Sequence, residues 1–277
     1  MKKIVLTGAA GNLGSRLREP LLGLADTLVS SDLPDNLPSL HPRETYIQAD
    51  LADFEAIQAL VAGADMVVHF GAVCDEAPFD DILGPNIVGS YNVWEAARRH
   101  GVRRVVYASS IHAVGMHPTN EFIGIDAEHR PDSYYGLAKC FTEDLARMYW
   151  DKEQIEAVCL RILSCTDVKN TRALGSWLSY PDLIQLVTRA IDTPSTGFSL
   201  IYGVSNNDRA PVDNSGADFL GYRPQDNAEQ FAQALLSATP PSDLSDPGQT
   251  SQGGPFASIP LGVSGVAAIK AMNLKEP

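Results

Sequence analysis

The chain has 277 residues, 44% of them hydrophobic and 20% charged, which is the balance of a folded globular protein with room for a large core. No apolar run approaches the roughly 20 residues that cross a bilayer, and the short Ile4-Val5-Leu6 run after Lys2-Lys3 is broken by Gly8, so neither a membrane span nor a signal segment is expected. A net charge of −13 repels polyanions and argues against nucleic acid as a partner.

Lys3-Ile4-Val5-Leu6-Thr7 predicts a first strand, followed by a glycine turn and an amphipathic helix over 12–24. Strands are predicted over 27–31 and 45–49, separated by a Pro-rich loop, then a helix over 53–62 and a strand over 66–70. A long helix is predicted over 82–100 and a strand over 102–109. Asp132-Ser133 forms a capping signal for a helix reaching Trp150, and Glu156 to Ile162 reads as a sixth strand. Such alternation predicts an α/β fold with a doubly wound parallel sheet and right-handed crossovers. Beyond 165 the pattern weakens. A helix is expected at 180–192 and mostly loop at 237–255, where Ser, Pro, Gly and Asp concentrate. The segment from Ile259 to Leu274 is apolar enough for a helix or for poor order. Residues 1–165 are read as one domain and 166–277 as a small substrate lobe attached to its sheet. Cys74, Cys140, Cys159 and Cys165 contain no Cys-x-x-Cys pair. Neither a structural zinc nor a dithiol centre is expected, and reduced thiols fit a cytosolic protein.

The first strand runs straight into Gly8-Ala9-Ala10-Gly11-Asn12-Leu13-Gly14. Glycines at this spacing, between a strand and a helix, let the backbone approach a pyrophosphate at the helix N-terminus. The fold is therefore expected to be Rossmann-type. Asp32 ends the second strand, where a carboxylate accepts both ribose hydroxyls and repels a 2′-phosphate. Leu33-Pro34-Asp35 follow with no arginine, which points to NAD over NADP. Asp50 and Leu51, after the third strand, are expected to border the adenine.

Tyr135 and Lys139 stand at i and i+4 and so share a helix face. A free phenol is a poor base near neutrality, and a nearby ammonium is expected to lower its pKa. Ser110 ends the fifth strand on the carboxyl side, where open α/β sheets bind ligands. With the glycine motif, Asp32, Asn86, Ser110, Tyr135 and Lys139 in these places, the sequence resembles the extended short-chain dehydrogenase/reductase family. The resemblance implies catalysis by Ser110, Tyr135 and Lys139, a structural asparagine at Asn86, and cofactor contacts at Asn12, Leu13, Gly71, Lys139 and Cys165.

Within that family, several strings resemble the uronate dehydrogenases. They include His69-Phe70-Gly71-Ala72-Val73, Ala108 to His112, Arg161 to Thr166, Asn170-Thr171-Arg172, Ser176-Trp177, Phe219 to Pro224 and Gly253 to Phe256. The resemblance runs to about residue 238 and implies NAD-dependent oxidation of the anomeric C1 hydroxyl of a hexuronic acid. It places substrate contacts at Cys74, Ser110, Ile111, His112, Ser164 and Arg172. Cys74 stands where the family has serine, and Ile111 replaces an asparagine, so a side-chain hydrogen bond is lost there. Arg172 is expected to clamp the substrate carboxylate bidentately. Trp177 and Phe256 either face the sugar ring or join the core. The resemblance also implies a homo-oligomer built on the long helix near 82–100 and the helix carrying Tyr135. Two rival readings remain open: another sugar dehydrogenase, reductase or sugar-nucleotide epimerase of the same fold, and a nonenzymatic NAD-sensing regulator.

Overall fold

The computed structural model describes residues 2–239 and 243–268. Its strands are β1 (Lys3–Thr7), β2 (Thr27–Asp32), β3 (Glu44–Gln48), β4 (Met66–His69), β5 (Arg104–Ser110), β6 (Glu156–Ile162) and β7 (Phe198–Gly203). All pair in parallel, in the order β3-β2-β1-β4-β5-β6-β7. The order reverses between β1 and β4, which opens a crevice at the carboxyl ends of those strands.

Side chains alternate along each strand and fill two cores. Ile4, Leu6, Met66, Val68, Val106, Val158 and Leu160 face one side, against helices α1 (Asn12–Leu22) and α7 (Tyr180–Asp192). Val5, Val67, Val105, Tyr107, Ala157 and Cys159 face the other, against α2 (Phe54–Val61), α4 (Gly89–His100) and α5 (Tyr134–Glu153). Burial on both faces explains why the strands read as continuous apolar runs. Two ion pairs are sealed into this body: Arg104 with Glu156 at 2.5 Å and Arg161 with Glu143 at 2.8 Å.

The long helix expected over 82–100 is broken into α3 (Phe79–Ile82), a π-helical stretch Leu83–Val88 and α4. Pro85 lies inside that stretch, where it has no N–H for an α-helical bond, and the wider turn accommodates it. The expected structural asparagine sits in the same stretch: Asn86 accepts from Val73 N and donates to Val73 O, at 2.8 and 2.9 Å, and so pins the loop after β4.

Strand β7 is absent from the sequence reading. It pairs with β6 from Ala157↔Phe198 to Ile162↔Gly203, so the sheet draws on chain beyond residue 165. The rest of that part holds α6 (Ala173–Ser176), α8 (Ala232–Ala238) and the short α9 (Pro247–Thr250), with loops between. Of the segment expected over 259–274, residues 259–264 are irregular, a helical turn begins after Ser264, and residues 269–274 lie outside the described residues.

Candidate active site

The glycine turn lies where β1 meets α1. Gly8 has φ +74°, and a Cβ there would come within 2.6 Å of Gly71 N; a Cβ on Gly14 would lie 2.0 Å from Gly8 O. Only glycine allows this close approach of turn, helix and β4. Gly11 is the N-cap of α1 and supplies no side-chain cap, so the first-turn N–H groups and the positive dipole end face the crevice. Asp32 sits at the rim of the turn, its oxygens accepting Ala10 N and Leu33 N at 2.8 Å each. No cation lies within ion-pairing distance of Asp32 among the described residues. These features fit a dinucleotide without a 2′-phosphate. Asp50 is exposed and caps its own turn at Ala52 N, 2.9 Å away. Leu51 packs at Gly71, and its carbonyl accepts Asn92 Nδ2 at 2.8 Å.

The turn opens into a cavity of about 320 Å³. Its walls bring together Gly8, Gly11, Asn12, Leu13, Gly14, Cys74, Ser110, His112, Tyr135, Lys139 and Cys165, all expected from the sequence, with Phe70, Ala72, Ala108, Ser109, Ile162 and Leu163 added. Ser133 caps α5 through Gly136 N at 2.9 Å, which sets Tyr135 and Lys139 on the cavity side of the first turns. Lys139 Nζ donates to Ala108 O at 2.7 Å and lies 5.1 Å from the centre of the Tyr135 ring. The Ser110 hydroxyl accepts His112 N at 3.3 Å and lines the same wall as the Tyr135 phenol. His112 gives Nδ1 to Asp132 at 2.8 Å, which leaves Nε2 for a ligand. Phe256 stacks on the same imidazole, with ring centres 4.1 Å apart.

The electrostatics differ from the sequence expectation. Burial drives the Tyr135 phenol well above its ordinary value, Cys74 and two carboxylates push the same way, and the nearby Ser110 hydroxyl opposes them. Burial also pulls the Lys139 ammonium down to about 8. Lysine therefore does not prevail over desolvation at the tyrosine in the free protein; a further positive charge is needed to make a phenolate.

Three expected substrate contacts stand elsewhere. Ile111 is fully buried in a core cluster with Val114, Leu163 and Tyr202, so it packs and does not face the cavity. Ser164 uses its carbonyl to accept Leu178 N at 2.8 Å and bridges Trp177. Arg172 lines a neighbouring, larger cavity of about 830 Å³ that shares Leu163 with the first. Its guanidinium donates to Gln252 O at 2.6 Å and packs over Gly254. Trp177 turns away from the site to Phe231 and Thr166 O. Asp132 escaped the sequence reading as a site residue, although its place next to the cap of α5 was a signal.

The residues 4–166 match the model of the NAD dependent epimerase/dehydratase family. A uronate dehydrogenase of Pseudomonas putida is 47% identical over 92% of this chain and 95% of its own. A crystal structure of a uronate dehydrogenase from Agrobacterium tumefaciens, a variant complexed with NAD, superposes with a TM-score of 0.89 at 44% identity, over 94% of this chain and 98% of that one. A glucuronic acid dehydrogenase from Chromohalobacter salexigens superposes with a TM-score of 0.90 at 40% identity, over 94% and 97%. Family match, near-complete coverage and the shared fold agree, and the chain belongs to the NAD dependent epimerase/dehydratase family, on its uronate dehydrogenase branch.

Proposed function

We propose that this protein oxidises the C1 hydroxyl of a pyranose hexuronic acid, glucuronate or galacturonate, with NAD as hydride acceptor, giving the aldarolactone and NADH. The observation that carries the reading is the convergence of Ser110, Tyr135, Lys139 and His112 on the cavity into which the glycine turn opens. Gly8, Gly11, Asn12, Leu13 and Gly14 would hold the pyrophosphate, Asp32 the adenosine ribose, and Gly71, Cys165 and Lys139 the nicotinamide half. When bound, oxidised NAD supplies the hydride acceptor and a positively charged ring. Ser110 orients the C1 oxygen, and Tyr135 as phenolate takes its proton. His112, held by Asp132 and Phe256, offers Nε2 to a ring hydroxyl. Cys74 lines the same wall.

The substrate carboxylate needs a cation in a protein of charge −13. We assign Arg172 to it: Leu163 is common to the cavity that Arg172 lines and to the catalytic one. A charge-assisted contact contributes roughly 1.5–3 kcal/mol. Uronates should then be oxidised with kcat/KM at least about ten times that of glucose or galactose. Following NADH formation over a panel of uronates, aldoses and nucleotide sugars tests the assignment. A uronate-to-aldose ratio near one overturns it, and an unchanged ratio in Arg172→Ala clears Arg172 of the role.

Tyr91, Phe141 and Met148 are exposed on α4 and α5, and this apolar surface fits a homo-oligomer formed across those helices. Light scattering reads that state directly. No described helix is long and apolar enough to cross a membrane. Free Cys140 and Cys159, both buried, fit the reducing cytosol.

A further inference from the structure

Three parts of the chain that are remote in sequence meet at one carboxylate. Glu76, only 2% exposed, lies in the loop after β4, two residues beyond Cys74. Its Oε2 accepts the backbone N–H of Tyr135 at 3.0 Å. Its Oε1 accepts the backbone N–H of Gly262 at 2.8 Å. The Tyr135 amide belongs to the first turn of α5, where N–H groups have no partner within the helix. Ser133 takes care of Gly136 N. Glu76 supplies the neighbouring acceptor from outside the helix, and a carboxylate at a helix N-terminus is favoured by the dipole as well.

The C-terminal segment is latched at the same place. Asp75 accepts Ser264 Oγ at 2.5 Å, Gly265 N at 2.9 Å and Val266 N at 3.1 Å. A Cβ on Gly265 would come within 2.4 Å of the Phe256 ring, so the latched turn is packed on the aromatic that stacks against His112. The segment therefore touches the site twice: through Phe256 on the imidazole, and through Glu76 on the tyrosine.

We propose that Glu76 is a positioning residue for Tyr135, and that the seating of residues 260–266 on Asp75 and Glu76 sets the catalytic rate. This rests on the reading of Tyr135 as the base. A carboxylate can accept from both N–H groups at once. A glutamine of the same shape accepts with one oxygen and confronts the other N–H with its own NH2. Glu76→Gln should lower kcat with uronate at least tenfold and leave the KM for NAD within twofold, because the glycine turn is untouched. Gly262 has φ +78°, which a β-branched side chain strains, and it touches neither Tyr135 nor the cavity. Gly262→Val should lower kcat in the same way, and the double variant should be no worse than the poorer single one. Backbone hydrogen exchange in the full chain gives a second readout: in Glu76→Gln, peptides holding Tyr135 and residues 260–266 should exchange faster together, while α7 stays as protected as in wild type.

A kcat within twofold of wild type in Glu76→Gln overturns the proposal, as do single effects that multiply in the double variant. Exchange that rises in the C-terminal peptide but not at Tyr135 also overturns it. If the wild-type protein oxidises no uronate, the functional reading fails on its own, and the exchange experiment still decides whether Glu76 couples the two segments.

Discussion

Replacing Lys139 by methionine should make the protein more stable and inactive. Lys139 is 2% exposed, and among the described residues its ammonium has one hydrogen-bond partner, the neutral carbonyl of Ala108. Burial lowers its pKa from 10.5 to about 8. At roughly 1.4 kcal/mol per pKa unit, holding the charge inside costs about 3 kcal/mol. Below about pH 8 the lysine is charged in both folded and unfolded chains, and the whole penalty stands. Between about 8 and 10.5 the folded protein has released a proton that the unfolded chain retains, so stability rises with pH. Methionine removes the charge but leaves the Ala108 carbonyl without its donor, which takes back roughly 1–2 kcal/mol. A net gain of about 1–2 kcal/mol at pH 7 is expected, or a Tm higher by several degrees. Urea unfolding of the cofactor-free protein at about pH 7 and about pH 9.5 measures both parts. Wild type should approach the variant at the higher pH. A variant less stable than wild type at pH 7, or a difference that ignores pH, refutes the reasoning.

Tyr135→Phe removes the proton acceptor and little volume, so NAD affinity should persist while kcat falls by about 10²–10⁴; a variant retaining a tenth of wild-type kcat would transfer the role of base to another group, His112 first. NAD should be preferred over NADP by at least about tenfold, on the order of 1.4 kcal/mol, and Asp32→Ala should narrow that gap. Comparing kcat/KM with the two cofactors in both proteins checks this, and equal use of both by wild type would remove Asp32 from the role.

The sheet and the meeting of Ser110, Tyr135 and Lys139 at one cavity were readable because each has a local signature. Strands β1 to β6 are apolar runs bounded by turns, and Gly8, Asp32, Ser110 and Tyr135 sit at strand or helix ends that the pattern already marks. β7 was missed because Phe198-Ser199-Leu200-Ile201-Tyr202-Gly203 is a short run with no helix of clear period after it. The break of the long helix at Pro85 had a signal, since proline cannot donate in the ladder. Ile111 shows the limit of matching positions. The resemblance puts it among the substrate contacts, but the core has absorbed its side chain. Glu76 and the 260–266 segment lie far apart along the chain, and no periodicity relates them. Only the three-dimensional path of the C-terminal segment brings that carboxylate under Tyr135.

Buried charge separates scaffold from site in this molecule. Arg104 is fully buried but faces the Glu156 carboxylate, and Arg161 faces Glu143, which also holds His129 and Ser109. Each of these charges has an opposite charge and further hydrogen bonds, the condition under which burial is tolerated. Removing one member would leave its partner uncompensated; Arg104–Glu156 ties β5 to β6, and Arg161–Glu143 ties β6 to α5. Lys139 breaks that rule. It is equally buried, lies on the same helix as Glu143, and among the described residues is given only a carbonyl. Beside it stands a phenol that burial holds in its neutral form, against the role of base proposed for it. A sequence optimised for stability alone would neutralise position 139, as the expected gain from Lys139→Met expresses. The two groups share one cavity with the glycine turn, and a positive charge bound there would favour the phenolate while it disfavoured the ammonium further.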